Sequence, residues 1–145
     1  MANLVLDNDK IAEEYFENTR LLGIQCSADA SRFVWLINKH LGFDFRYKDE
    51  SEIELNKRGR RLVFPLFEFS ETHIDINHLI YTNQFDGEYL LPELKHTDFL
   101  WLVRFGGTES DFMSVLTAEI RKIESVQLVT PLANDKIKNK QILVV

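Results

Sequence analysis

The chain has 145 residues, of which 45% are hydrophobic and 28% are charged, and its formal net charge is −6. These values are typical of one globular domain over residues 1–145, since a chain of this length can bury a core without cross-links. The negative charge disfavours a general binder of nucleic acid or acidic membranes, which needs a basic surface. Cys26 is the single cysteine, which excludes an internal disulfide and a cysteine-built zinc site.

The start of the chain carries neither a cationic leader nor a long apolar run, so no signal peptide is expected. No stretch of the sequence approaches the ~20 apolar residues that span a bilayer. We therefore expect a cytoplasmic protein without a membrane-spanning segment.

The pattern before residue 27 predicts two strands. Residues 4–6 form a short apolar candidate, and a mildly helical stretch from Asn8 to Phe16 follows it. Residues from Arg20 to Cys26 then alternate with the two-residue period of a β-strand.

A helix with defined ends is predicted next. Ser27 and Asp29 are both preferred N-cap residues, and apolar side chains recur at helical spacing from Ala30 to Leu41. Gly42 supplies the stop, because glycine readily adopts the left-handed conformation that ends a helix.

The middle of the chain predicts strands separated by a loop. Phe43 to Lys48 alternates as a strand with one solvent-facing side, whereas Asp49 to Arg61 lacks an apolar pattern and is interpreted as a loop. Leu62 to Phe69 is apolar on both faces and is interrupted by Pro65, so an edge or bulged strand is predicted there.

A hairpin and a buried strand are predicted after residue 73. A strand runs from about Ile74 to Asn83, and Asp86-Gly87 is a typical hairpin turn with Glu88 to Leu91 as the returning strand. Phe99 to Phe105 is almost entirely apolar, which predicts a central strand covered on both faces.

The last part of the chain predicts a second helix and short strands. Thr108 with Asp111 resembles a capping box before one helical stripe of apolar residues, Phe112, Val115, Leu116, Ile120 and Ile123. Val126 to Val129 predicts a strand that Pro131 ends, and Ile142 to Val145 predicts a last one. The predicted fold class is α+β, a mostly antiparallel β-sheet with two principal amphipathic helices packed on it.

The segment from Leu91 to Phe99 reads LPELKHTDF, and its Pro92, Glu93 and Asp98 match the motif of the IPExxxVDY family. The chain resembles that bacterial family also at its start and over residues 35–42. Three motif positions depart from the family's Ile, Val and Tyr, namely Leu91, Thr97 and Phe99. The resemblance implies a cytoplasmic bacterial protein and implies no activity.

The same segment also has a structural interpretation. Pro92 cannot donate to a sheet ladder and therefore ends a strand, while Glu93 and Asp98 suit main-chain groups in a turn. We favour this interpretation, a structural corner in the chain, over a catalytic site, because the requirements of a turn explain each residue type. The alternative is a small-ligand site or an enzyme that uses Glu93, Asp98 and Arg104 beside Trp101.

One basic cluster is formed by Lys57, Arg58, Arg60 and Arg61. Such side chains can hold the phosphates of RNA. The alternative is a solvated loop whose cations pair with acidic residues just upstream. We favour the loop, because four cations on an acidic chain make a weak electrostatic footprint.

No cofactor or metal site is predicted. His73 and His78 are five residues apart and would lie on opposite faces of a strand, and Cys26 is expected to pack in the core. Without an assembled catalytic signature, the sequence favours a non-enzymatic binding or assembly module. Its partner would be a second copy, through a sheet edge or apolar patch, or else RNA or another protein.

Overall fold

The computed structural model describes residues 16–49, 52–106, 111–133, 137 and 140–144. These residues form an α+β fold, as predicted, with a mostly antiparallel sheet and two α-helices. The helices are α1 (Ala30–Leu41) and α2 (Phe112–Arg121). The strands are β1 (Thr19–Cys26), β2 (Arg46–Tyr47), β3 (Ile53–Lys57), β4 (Arg60–Phe64), β5 (Leu66–Ser70), β6 (Ile76–Thr82), β7 (Gln84–Phe85), β8 (Glu88–Tyr89), β9 (Phe99–Phe105) and β10 (Val126–Leu132).

The main sheet has six strands in the order β10-β1-β9-β6-β5-β2, all paired antiparallel. Two two-stranded sheets, β3–β4 and β7–β8, lie beside it. Strand β9 is buried along its length apart from Arg104, which confirms the predicted central strand. Such a strand is apolar on both faces because both faces are covered by other layers.

Two cores lie on opposite faces of the sheet, because successive side chains of a strand alternate in direction. The helix-facing core joins the sheet to both helices and includes Leu22, Ile80, Trp101, Phe33 and Ile120. The hairpin-facing core joins the sheet to β4 and to the region near Leu143, and it includes Leu21, Leu79, Leu102, Leu62 and Phe64.

Helix α1 begins and ends where the sequence predicts. The Oδ1 atom of Asp29 accepts a hydrogen bond from the Arg32 amide at 2.9 Å, and Gly42 adopts a left-handed φ of 70° while its amide donates to the Asn38 carbonyl. The N-cap therefore satisfies one of the amides that a helix start leaves without an intrahelical partner.

Helix α2 differs from its predicted stripe at one position. Leu116 and Ile120 are buried, whereas Val115 is 56% exposed, so the apolar face is narrower than the pattern suggested. The predicted cap at Thr108 lies outside the described residues, as do the predicted strand at 4–6 and most of the helical stretch after it. Within the described part of the chain, no helix is long and apolar enough to cross a membrane.

The interpretation of Asp49 to Arg61 as a loop was wrong, because β3 and β4 form a hairpin there. Its turn residues Arg58 and Gly59 have φ angles of 53° and 76°, the positive values of a tight two-residue hairpin turn. The predicted strand from Leu62 to Phe69 is likewise two strands, which Pro65 separates into different sheets. The strand predicted from Phe43 onwards is restricted to β2.

The end of the chain departs from two predictions. Pro131 does not end β10, which continues to Leu132, because β10 is an edge strand and a proline without an N–H is tolerated there. A 3-10 helix over Lys140–Leu143 includes Ile142 and Leu143, the first half of the predicted last strand. Its Leu143 carbonyl accepts a hydrogen bond from the buried Tyr81 hydroxyl at 2.6 Å.

Candidate functional site

The chain turns a corner over residues 91–98, which begin with Leu91-Pro92-Glu93, the LPE motif. This LPE corner is held by Asn83, which is fully buried. Its side-chain amide donates to the carbonyls of Leu94 (3.0 Å) and Thr97 (2.8 Å), and its Oδ1 accepts from the Leu91 amide (2.8 Å). Its main chain bonds to the corner as well, since the Asn83 amide donates to the Asp98 carbonyl at 2.9 Å. One side chain therefore fixes the path of residues 91–98, and the sequence analysis had not singled it out.

Asp98 stands at the end of that corner and joins it to β1. Its Oδ2 accepts a hydrogen bond from the Cys26 amide at 2.8 Å, while its own amide donates to the Ile24 carbonyl at 2.8 Å. The carboxylate therefore extends the ladder between β1 and β9 by one further bond. Cys26 is 5% exposed and belongs to the helix-facing core, as predicted.

The other members of the predicted carboxylate site are not assembled around Asp98. Arg104 lies near the opposite end of β9, about 20 Å along the strand at ~3.3 Å per residue. Glu93 is exposed on the 3-10 helix Pro92–Leu94. Trp101 is fully buried, so its ring faces the core rather than an open site.

A cleft of about 520 Å³ opens at the end of the sheet where β1 and β6 finish and β9 begins. Helix α1 starts at this end, so its first turn forms one wall, and the β7–β8 hairpin forms another. We call this cavity the α1 cleft. Its polar and charged lining side chains are Ser27, Asp29, Ser31, Thr82, Gln84, Asp86 and Asp98, and its apolar lining includes Pro65, Phe85 and Phe99.

Thr82 at the end of β6 is the most unusual residue of the α1 cleft. It is 4% exposed, and within the described structure its Oγ1 has no hydrogen-bond partner. Thr82 pairs with Phe99 across the β6–β9 ladder, and cross-strand partners share a face of the sheet. Because Phe99 belongs to the helix-facing core and lines the cleft, the Thr82 side chain lies on the side where the cleft and α1 are.

The charged groups of the α1 cleft are three aspartates, with no lysine, arginine or histidine among its lining residues. Each aspartate has one structural partner: Asp29 caps α1, Asp86 pairs with Arg60, and Asp98 accepts from a main-chain amide. A carboxylate has about four acceptor sites, so each can accept a further hydrogen bond from a ligand.

The basic cluster lies at the end of the β3–β4 hairpin. Arg61 makes a two-pronged pair with Glu54, at 2.6 and 3.1 Å, and this hydrogen bond lowers the pKa of the Glu54 carboxyl. The predicted pairing with an upstream acidic residue is therefore confirmed for Arg61. Arg58 is exposed at the turn and pairs with no described residue.

The other two cations of the cluster reach the β7–β8 hairpin. The Lys57 ammonium donates to the Tyr89 carbonyl at 2.9 Å and lies 3.9 Å from the Glu88 carboxylate. Arg60 pairs with Asp86 in the turn of that hairpin. These contacts brace the hairpin that forms one wall of the α1 cleft.

His78 is also a fully buried polar residue, and the sequence pattern did not predict its hydrogen bonds. Its Nδ1 accepts from the Trp101 indole N–H at 3.0 Å, which assigns its proton to Nε2, and Nε2 lies 2.9 Å from Glu71 Oε2. Its ring stacks on Phe69 at 5.7 Å between centroids. Burial lowers the pKa of His78, and the hydrogen bond to Glu71 partly opposes that shift. His73, by contrast, is exposed before β6.

Comparison with known proteins yields no match, either to a protein-family model or to a curated protein. Membership of the IPExxxVDY family therefore stays a prediction that depends on the residues of the LPE motif. Within the described ranges, no three His, Cys, Asp or Glu side chains are close enough to hold a metal ion. The function is therefore inferred from the geometry of the α1 cleft itself.

Proposed function

We propose that this protein is a non-enzymatic binding module and that its ligand occupies the α1 cleft. The observation that carries the proposal is Thr82, a buried hydroxyl without a partner among the described residues, beside a cleft of about 520 Å³. Leaving a buried polar group unpaired costs about 1–3 kcal/mol, so a native structure rarely keeps one without a reason. A ligand that binds beside Thr82 would give this hydroxyl a partner.

The position of the cleft supports the same proposal. Several strands end there, so segments distant in the chain, at Pro65, Thr82 and Asp98, meet at one place. The cavity is within the range of about 300–1,000 Å³ that is typical of small-molecule sites. Its polar groups are carried by a strand end, a helix start and a braced hairpin, which favours a preformed site.

Binding is favoured over acid–base catalysis because the carboxylates of the cleft already have structural hydrogen bonds. Catalysis by two carboxyls needs different environments that separate their proton affinities. Asp29 and Asp98 both accept hydrogen bonds from main-chain amides, so each carboxylate already has the same structural role. The predicted partner of Asp98, Arg104, lies at the far end of β9.

Assembly through a sheet edge receives less support than binding in the cleft. At one edge, β10 contains Pro131, which has no N–H to donate, and its Val129 carbonyl accepts from Arg121 at 3.1 Å. At the other edge, β2 is two residues long and carries Arg46. Short, charged or proline-containing edges hinder pairing with a second copy.

RNA binding also receives less support, because three of the four cations in the basic cluster are paired with carboxylates. Arg58 is the member that stays available to a phosphate. RNA affinity depends on the number of phosphates neutralised, so a single arginine contributes little.

Two matched substitutions test the proposal. Ser31 and Ser114 are both exposed serines in the first turn of a helix, and Ser31 lines the α1 cleft whereas Ser114 does not. Ser31→Trp should block the cleft, and Ser114→Trp should leave it open. A metabolite library is screened by thermal shift on the wild type and both variants.

The expected result is a ligand that raises the melting temperature of the wild type and of Ser114→Trp but not of Ser31→Trp. A stabilising ligand that acts equally on both variants would place the site elsewhere. Turnover of a ligand, followed by mass spectrometry, would contradict a non-enzymatic module.

A further inference from the structure

We infer that the α1 cleft binds an organic cation, through an ammonium or guanidinium group. This inference depends on the proposed function and names the chemical class of the ligand. Three observations carry it: the charge of the lining residues, the buried Thr82 hydroxyl without a described partner and an exposed aromatic ring that lines the cleft.

Two opposing electric fields act in the cleft, and their relative sizes decide whether it attracts a ligand of positive or negative charge. The start of a helix is equivalent to about half a positive charge and attracts anions. Against it stand three carboxylates, of which Asp86 is offset by Arg60 while Asp29 and Asp98 bond to neutral amides. The carboxylates therefore prevail over the helix dipole. A cleft lined by one sign of charge concentrates ligands of the opposite sign.

The placement of the aspartates on separate segments favours a polyatomic cation over a metal ion. They come from three segments, namely the start of α1, the β7–β8 turn and the start of β9. No metal-binding group of three such side chains is present among the described residues. An ammonium has three N–H donors and a guanidinium has five, so either group has enough donors for a carboxylate and for a hydroxyl such as that of Thr82.

Phe85 adds a surface that cations prefer. It lines the cleft, is 42% exposed, and is held by an edge contact with Phe64 at 6.2 Å between ring centroids. An ammonium or guanidinium over an aromatic face is attracted by the ring quadrupole. An exposed phenyl ring next to carboxylates is thus suited to an organic cation and unsuited to a hydrated anion.

The binding experiment uses isothermal titration calorimetry with agmatine, a small dication that carries both groups. A blocked pentapeptide with one arginine and one lysine is the second probe, and the same peptide with glutamine at both positions is its control. Agmatine binding would identify a free metabolite as the source of the cation. Peptide binding without agmatine binding would identify side chains of a partner protein.

One triple variant removes the charge while it preserves the local structure. In Asp29→Asn/Asp86→Asn/Asp98→Asn, asparagine remains a good N-cap, forms the Asn-Gly pair typical of tight hairpin turns, and keeps an acceptor for the Cys26 amide. The matched control Asp44→Asn/Asp49→Asn/Glu124→Gln removes the same charge from exposed positions outside the cleft.

We expect the cationic probe to bind the wild type and the control variant alike, and to lose at least roughly tenfold in affinity in the cleft variant, equivalent to about 1.4 kcal/mol. Binding should weaken as salt is raised. Equal loss in both variants, or no binding of either cationic probe, would overturn the inference. Should the triple variant not fold, the affinity of the probe is measured for each of the three single variants, and each should lose part of the affinity.

The outcomes also separate this inference from the proposed function. A neutral or anionic ligand that stabilises the wild type but not Ser31→Trp would overturn the cationic ligand and leave the binding module intact. If agmatine binds Ser31→Trp as well as it binds the wild type, both proposals fail.

Discussion

Removing the Asn83 side chain tests whether the LPE corner is a structural element. In Asn83→Ala, the Leu91 amide and the carbonyls of Leu94 and Thr97 lose their partners together. The amide bond is buried and the carbonyl bonds are partly buried, so we expect a loss of about 3–5 kcal/mol in the free energy of unfolding. That is a large share of the roughly 5–15 kcal/mol that stabilises a typical domain.

The assay is urea unfolding followed by tryptophan fluorescence. Trp101 is fully buried whereas Trp35 is 53% exposed, so the spectral change on unfolding reports mainly on the core. Asn77→Ala is the matched control, because the Asn77 amide bonds to the side chains of Glu68 and Ser70 and not to main chain, and it should cost less than about 1 kcal/mol. A loss below about 1 kcal/mol for Asn83→Ala would refute the structural assignment of the corner.

Three further predictions concern the interior and the sheet edge. Thr82→Val should raise the melting temperature by about 2–4 °C, since it removes an unpaired buried hydroxyl, and calorimetry should show no such gain for Thr82→Ser. The folded-state pKa of His78 is lowered, so the free energy of unfolding should fall as pH drops below about 6.5, and His78→Gln should flatten that dependence in urea titrations at several pH values. Combining Arg121→Ala with Pro131→Val should promote self-association in light scattering, because the β10 edge regains a donor and a free carbonyl; a strictly monomeric variant would contradict this account of the edge.

Local signals account for the elements that the sequence predicted well. Helix α1 has a capping Asp29 and a stop at Gly42, β9 is a continuous apolar run, and Asp86-Gly87 specifies a tight turn. Each of these signals lies within or next to its own element. Tertiary context therefore had little scope to overrule them.

The β3–β4 hairpin was missed because its signals are weak. Every second residue of β3 is exposed and none is fully buried, so no apolar stripe marks it, and its turn uses Arg58-Gly59 instead of the common Asn-Gly or Asp-Gly pair. Pro131 led to the opposite error, a strand predicted to end too early. A proline predicts a strand end unless the strand is known to lie at the edge of a sheet. Whether a strand is an edge depends on the topology of the whole sheet.

The candidate site could be predicted only in part. Asp98 was identified from its motif and does line the α1 cleft. Thr82 and Phe85 could not be identified, because their roles depend on strands that end at the same edge of the sheet. The contact between His78 and Trp101 depends in the same way on the pairing of β6 with β9.

Two residues of the basic cluster, Lys57 and Arg60, hold the β7–β8 hairpin that lines the α1 cleft. Substitutions in the cluster can therefore separate RNA binding from cleft binding. The β7–β8 hairpin has two-residue strands and is too short to be stable alone, so its position depends on Arg60 and Lys57 from the neighbouring hairpin. Arg60→Glu should therefore place two carboxylates together and displace the hairpin, and it should weaken cleft ligands in calorimetry, because the loss of Phe85 and Asp86 from the cleft wall outweighs the added negative charge. Arg58→Glu reverses the same amount of charge at a position without described partners and should leave cleft binding unchanged. A salt-sensitive RNA gel shift that Arg58→Glu abolishes would contradict this assignment, since the cluster would then serve RNA as well as the hairpin.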